Sequence, residues 1–129
     1  MIVGIGTDIV AVTRMAAGIT RHGERFAQRI LSDDEMAKYS KQVNQANYLA
    51  KRFAAKEAVV KALGCGFRHG ISMRQVVISN DSLGKPEVTL HDKAAERAEQ
   101  MQIGEILLSL SDEREYAIAY VVAQKTNCE

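Results

Sequence analysis

Residues Ala46–Gly66 read ANYLAKRFAAKEAVVKALGCG, and this stretch decides the fold. Leu49, Phe53, Val60 and Leu63 recur at helical spacing, which predicts a long helix from about Ala46 to Leu63 packed on the core. Gly64-Cys65-Gly66 stops it, as glycines just past a helix end do. Ala50, Ala54 and Ala58 form a second stripe, small enough to let a backbone or a ligand approach. Glu57 and Lys61 continue that small-residue face. Four residues apart, they have the spacing of an ordinary solvent-facing ion pair.

Working outward, the segment Ile2 to Val10 is rich in β-branched residues and reads as a buried strand. Gly4 and Gly6 weaken it unless another backbone or a ligand lies against them. Thr13 is the expected N-cap of a helix of about ten residues that ends near Gly23. Arg14 and Arg21, seven apart, project from one face of it. A short helix follows, turning Phe26, Ile30 and Leu31 inward. Ser32 and Glu35 form a capping box that opens a third helix through about Tyr39, and Ser40 to Gln45 reads as a loop. After the long helix come two strands, Gln75 to Asn80 and Glu87 to Leu90, joined by the turn chemistry of Asp81 to Pro86. Asp92 is the expected cap of a helix to Met101, and Ile106 to Leu110 with Tyr116 to Val122 close the chain as a strand pair. The expected fold is α+β: a single domain over residues 1–129, with an antiparallel sheet packed on a long central helix and shorter helices.

Composition narrows the function classes. The 129 residues suffice for one core, and a net charge of +1 argues against a general nucleic-acid binder. No apolar run approaches the roughly 20 residues of a membrane span, and MIVGIGTDIV lacks the basic start of a signal peptide. Two cysteines, Cys65 and Cys128, build neither a disulfide framework nor a metal cluster. A soluble, cytoplasmic protein is expected. Charge is uneven along the chain, however. Between Thr13 and Leu31, Arg14, Arg21, Arg25 and Arg29 face a single acid, Glu24, whereas Asp92 to Tyr116 is acidic. Such segments are commonly solvated helix faces, and the first also suits an acidic partner.

Chemistry concentrates at Asp8, Glu57 and Lys61. An aspartate at a strand end is often a turn residue. Converging with a helix glutamate, it instead suits Mg²⁺, which is held by one or two carboxylates with water and substrate phosphates completing the octahedron. Lys61, one turn from Glu57, is then placed to neutralise a phosphate.

Gly4-Ile5-Gly6-Thr7-Asp8-Ile9-Val10, taken with Arg52 through Gly64, resembles the 4′-phosphopantetheinyl transferase superfamily. The likeness continues through Arg29-Ile30-Leu31-Ser32, Leu83-Gly84-Lys85-Pro86 and Ser109 to Ala117. It implies transfer of the 4′-phosphopantetheine arm of coenzyme A to a serine of an apo acyl carrier protein, in fatty acid biosynthesis, releasing adenosine 3′,5′-bisphosphate. It assigns Asp8 and Glu57 to Mg²⁺, Lys61 to the coenzyme A phosphates, and Arg52, Lys56 and Gly64 to the same coenzyme. It makes the first helix the carrier-docking element, with Arg14, Arg21 and Arg25 as the contacts, and implies a homotrimer whose sites are shared between subunits. Many relatives carry a histidine where this chain has Asp112, which leaves Arg52 or Lys56 to hold the nucleotide's 3′-phosphate. A different class of function, a non-catalytic coenzyme A or nucleotide-binding module of the same fold, is the alternative.

Overall fold

The computed structural model describes residues 1–126; Cys128, expected in a terminal tail, lies outside the described residues. The chain runs β1 (Ile2–Ala11), α1 (Val12–His22), α2 (Glu24–Ile30), α3 (Asp33–Tyr39) and α4 (Gln45–Ala62). A 3₁₀ turn at Met73–Gln75 leads into β2 (Val76–Asn80), β3 (Pro86–Leu90), α5 (Asp92–Gln100), β4 (Ile103–Asp112) and β5 (Tyr116–Lys125). The architecture is α+β. Its strands form two antiparallel sheets, a three-stranded one in the order β1-β5-β4 and the β2-β3 hairpin.

Helix α4 is the axis of the molecule. Asn44 caps its start by accepting from the amide of Asn47 at 3.0 Å, and Gly64, with φ of +72°, takes the chain out of it. The helix is buried on almost every side, from Leu49 and Ala50 to Val59, Val60 and Ala62. Its alanine stripe does what the sequence predicts: strand β1 lies directly on it. A Cβ on Gly6 would sit 1.9 Å from the carbonyl oxygen of Ala58, and one on Gly4 would sit 2.1 Å from that of Ala62. Only glycine allows this approach, and the approach brings Asp8 to the helix.

Several expectations need correction. Strand β1 is not buried on both faces. Gly6 and Val10 point to α4, but Ile5 and Ile9 are each 60% exposed, and Ile118, Tyr116 and Tyr120 of β5 share their open face. Thr13 does not cap α1. The cap position is Ala11, without a side-chain bond, and the amide of Val12 donates to the carbonyl of Glu115 at 2.8 Å. Nor does Asp92 cap α5, because the side-chain oxygen of Gln75 accepts from the amide of Ala94 at 3.1 Å. Gln75 belongs to the 3₁₀ turn, and the closing strands run longer than predicted, β4 at both ends and β5 at its C-terminal end. The capping box of α3 and the hairpin turn form as expected.

Candidate active site

Asp8 follows Gly6 on the face of β1 that meets α4, and its side chain remains partly open to solvent. Lys61 reaches across from the last turn of α4. Its Nζ donates to the Thr7 carbonyl at 2.9 Å and to Asp8 Oδ1 at 3.2 Å, so the strand residue and not Glu57 is its ionic partner. Asp8 and Lys61 therefore meet within one chain, and Glu57, one turn before Lys61 on α4, lies near enough to feel the charge of both.

Glu57 is half-buried, and its environment holds its pKa above the ordinary glutamate value. Burial is the main cause and the charge of Asp8 the second, with Lys61 and Arg14 acting the other way. Two carboxylates thus share one close lysine. Their residual negative charge, in an open setting of oxygen donors, fits a small hard cation that keeps its waters. Among the described residues no group of three or more His, Cys, Asp or Glu converges on a point, so Asp8 and Glu57 are the carboxylates available to such an ion.

Arg14 stands at the margin of this group, its guanidinium 4.9 Å from the centre of the Phe53 ring. Arg21 and Arg25 are exposed and make no ion pair among the described residues. All three stand on the first two helices as a basic surface.

Of the residues expected at the coenzyme, Lys56 is placed elsewhere. It is wholly buried, and its Nζ donates to the Ile30 carbonyl at 2.7 Å, to Glu35 Oε1 at 2.6 Å and to the Met73 carbonyl at 2.9 Å. With all three donors engaged inside the fold, it has none for a phosphate. Burial draws its pKa below the ordinary lysine value against the opposing pull of Glu35. Glu35 in turn takes the amides of Ser32 at 2.8 Å and Ile78 at 2.9 Å, so one pair ties together α2, α3, α4, the 3₁₀ turn and β2. The capping box hinted at Glu35; nothing in the sequence spacing linked it to Lys56.

Arg52 is also buried, but at the wall of a cleft of about 480 Å³ between α4, the β2-β3 turn and β4. It donates to Asn80 Oδ1 at 3.1 Å and stacks 4.8 Å from the Tyr48 ring centre. Asp112 lines the same cleft and accepts from Asn47 Nδ2 at 3.1 Å. Gly64 lines a separate cleft with Arg68, Lys93 and Arg97.

Residues 4–121 match the family model of the 4′-phosphopantetheinyl transferase superfamily. A holo-[acyl-carrier-protein] synthase from Halorhodospira halophila is 52% identical over 122 residues, 95% of this chain and 97% of its own. The crystal structure of a holo-[acyl-carrier-protein] synthase from Neisseria meningitidis superposes with a TM-score of 0.91 at 44% identity, covering 97% of this chain and all of its own. The enzyme of that name from Helicobacter pylori, solved in complex with coenzyme A, superposes with a TM-score of 0.81 at 31% identity, covering 93% and 99%.

Proposed function

Because the chain belongs to the 4′-phosphopantetheinyl transferase superfamily, we propose how its residues divide the work of one reaction: transfer of the 4′-phosphopantetheine arm of coenzyme A to a serine of apo acyl carrier protein. The serine hydroxyl gives up its proton to water as its oxygen forms a bond to the phosphorus that bears the pantetheine arm. The bond from that phosphorus to the bridging oxygen breaks, and adenosine 3′,5′-bisphosphate leaves. Such a transfer asks the protein for alignment and for neutralisation of spreading charge rather than for a covalent intermediate. The observation that carries this reading is the meeting of Asp8, Glu57 and Lys61 where strand β1 lies on helix α4.

Asp8 and Glu57 are the residues to hold Mg²⁺, which when bound draws charge off the phosphate oxygens. Lys61 already sits on Asp8 with a flexible, half-exposed side chain, and it can turn its ammonium to the phosphates as they arrive. Arg52 serves the nucleotide end of coenzyme A. Arg14, Arg21 and Arg25 meet the acidic carrier protein, and their long-range attraction is the part most sensitive to salt. The open face of Ile5, Ile9, Ile118 and Tyr120 supports assembly into a homotrimer, since a monomer would leave this patch in water. The reaction belongs to fatty acid biosynthesis in the cytoplasm, where apo carrier protein and coenzyme A are both at hand.

Mass spectrometry of an apo carrier protein incubated with coenzyme A, Mg²⁺ and this protein tests the reading. The expected result is a carrier heavier by one phosphopantetheine group. An unchanged mass, with the protein folded and the coenzyme bound, would instead favour the non-catalytic binding module.

A further inference from the structure

Six of the 18 residues of α4 are alanine, and the helix is buried on almost every side. Neither a polar face nor bulky ridges therefore tell it which side to turn to strand β1, because packing resists sliding and rotation only where side chains are large enough to interlock. The setting matters all the same. Successive helix residues point about 100° apart and rise about 1.5 Å, so a slip of one residue would swing Glu57 and Lys61 away from β1. Lys56 supplies what the alanines lack. Its ammonium is wholly buried and meets acceptors on three separate elements: the Ile30 carbonyl that ends α2, Glu35 Oε1 on α3, and the Met73 carbonyl of the 3₁₀ turn. Turning or sliding the helix would pull the ammonium from all three, and a buried charge without partners costs far more than an apolar mismatch.

We propose that Lys56 is a positioning residue for the transfer reaction: its three-way anchor fixes the rotation and register of α4 and so turns Glu57 and Lys61 toward Asp8. The inference rests on the transferase reading above and adds to it a residue that touches no substrate. A buried polar residue with one way of being satisfied sets register elsewhere in helical packing, as a buried asparagine does in coiled coils, at a cost in stability that apolar packing avoids. Glu35 is itself held by the amides of Ser32 and Ile78, so this acceptor cannot follow a helix that moves. Gly4 and Gly6 set how closely β1 lies on α4, and Lys56 sets the angle at which the helix meets it.

The test separates stability from transfer in variants of the full chain, with rates taken per folded protein. Glu35→Leu with Lys56→Met replaces the anchor by apolar side chains of similar volume. It should be more stable than Glu35→Ala, yet transfer from coenzyme A to apo carrier protein should run with kcat about tenfold below wild type. Glu35→Gln keeps an oxygen for the Lys56 ammonium but meets the Ile78 amide with a second donor. It should be less stable than wild type and hold kcat within about twofold. The Leu and Met pair is also placed in a Glu57→Gln background. There it should cost a smaller factor than in wild type, because the carboxylate that the anchor positions is gone. A double variant with wild-type kcat, a Glu35→Gln protein whose kcat falls with its stability, or an equal factor in both backgrounds would overturn the inference. A wild type that leaves the carrier's mass unchanged would instead overturn the transferase reading itself.

Discussion

Two of the lysines on helix α4, Lys56 and Lys61, are each paired with a carboxylate from elsewhere in the chain. The Lys56–Glu35 contact is 2.6 Å long, with both side chains shut off from water and every donor of the ammonium engaged. The Lys61–Asp8 contact is 3.2 Å long, the lysine half-exposed, and a second carboxylate, Glu57, is close enough to feel Asp8. The first pair is closed to solvent and substrate, and its loss would leave a lone buried charge. The second is open, with two carboxylates around one close lysine, which suits the cation and anionic substrate proposed for it. Residues 56 and 57 are neighbours in sequence, yet one faces the fold and the other the chemistry.

Breaking the closed pair should have the largest effect. Glu35→Ala leaves the Lys56 ammonium buried without a counter-ion and should lower the unfolding free energy by about 3–5 kcal/mol, read by urea denaturation. The double variant Glu35→Leu with Lys56→Met should recover much of that loss; if it does not, the pair's role is not the electrostatic one assigned here. Gly6→Ala strikes between the two regions. Its new Cβ would fall 1.9 Å from a backbone oxygen of α4, so the helix must move. Stability should drop by about 1–3 kcal/mol and transfer activity should fall with it, because the shift separates Asp8 from Lys61. Full activity in a folded Gly6→Ala protein would show that the site tolerates that separation. Arg14→Glu should be mildest: KM for the carrier protein rises about fivefold, KM for coenzyme A barely moves, and the difference shrinks in high salt. Equal rises for both substrates would remove Arg14 from the docking surface.

Much of this comparison was legible in the sequence, and the rest was hidden for physical reasons. The capping box at Ser32 and Glu35, the glycine stop after α4 and the Asp81–Pro86 turn are local, so adjacent residues decide them. Asp8 and Glu57 stood out one by one, but the paired glycines on the strand and the alanine stripe on the helix each left open a backbone or a ligand as neighbour, and it is the fold that lays one on the other. Lys56 misled because α4 is buried nearly all round, so position on the helix does not tell solvent from core. Its partner Glu35 lies on another helix, and the amide of Ile78 that completes the network is 43 residues from Glu35. The cap of α5 failed similarly: Gln75, 19 residues from the Ala94 amide it accepts, took the role expected of Asp92. The open face of β1 looked buried because a run of apolar residues reads alike whether one face of the strand or both are covered.

The division of labour along α4 is tested most directly by one paired measurement on Glu57→Gln: its rate of phosphopantetheine transfer and its unfolding midpoint from the same preparation, without metal for the second. Glu57 has a raised pKa in the folded chain, so its contribution to stability is fully present below the ordinary glutamate pKa and is lost as pH rises through the raised value. Glutamine removes that loss. The expected result at neutral pH is transfer slowed by at least about 100-fold, with an unfolding midpoint equal to or slightly above that of wild type. A variant that transfers normally, or one that loses activity and stability together, would contradict the account.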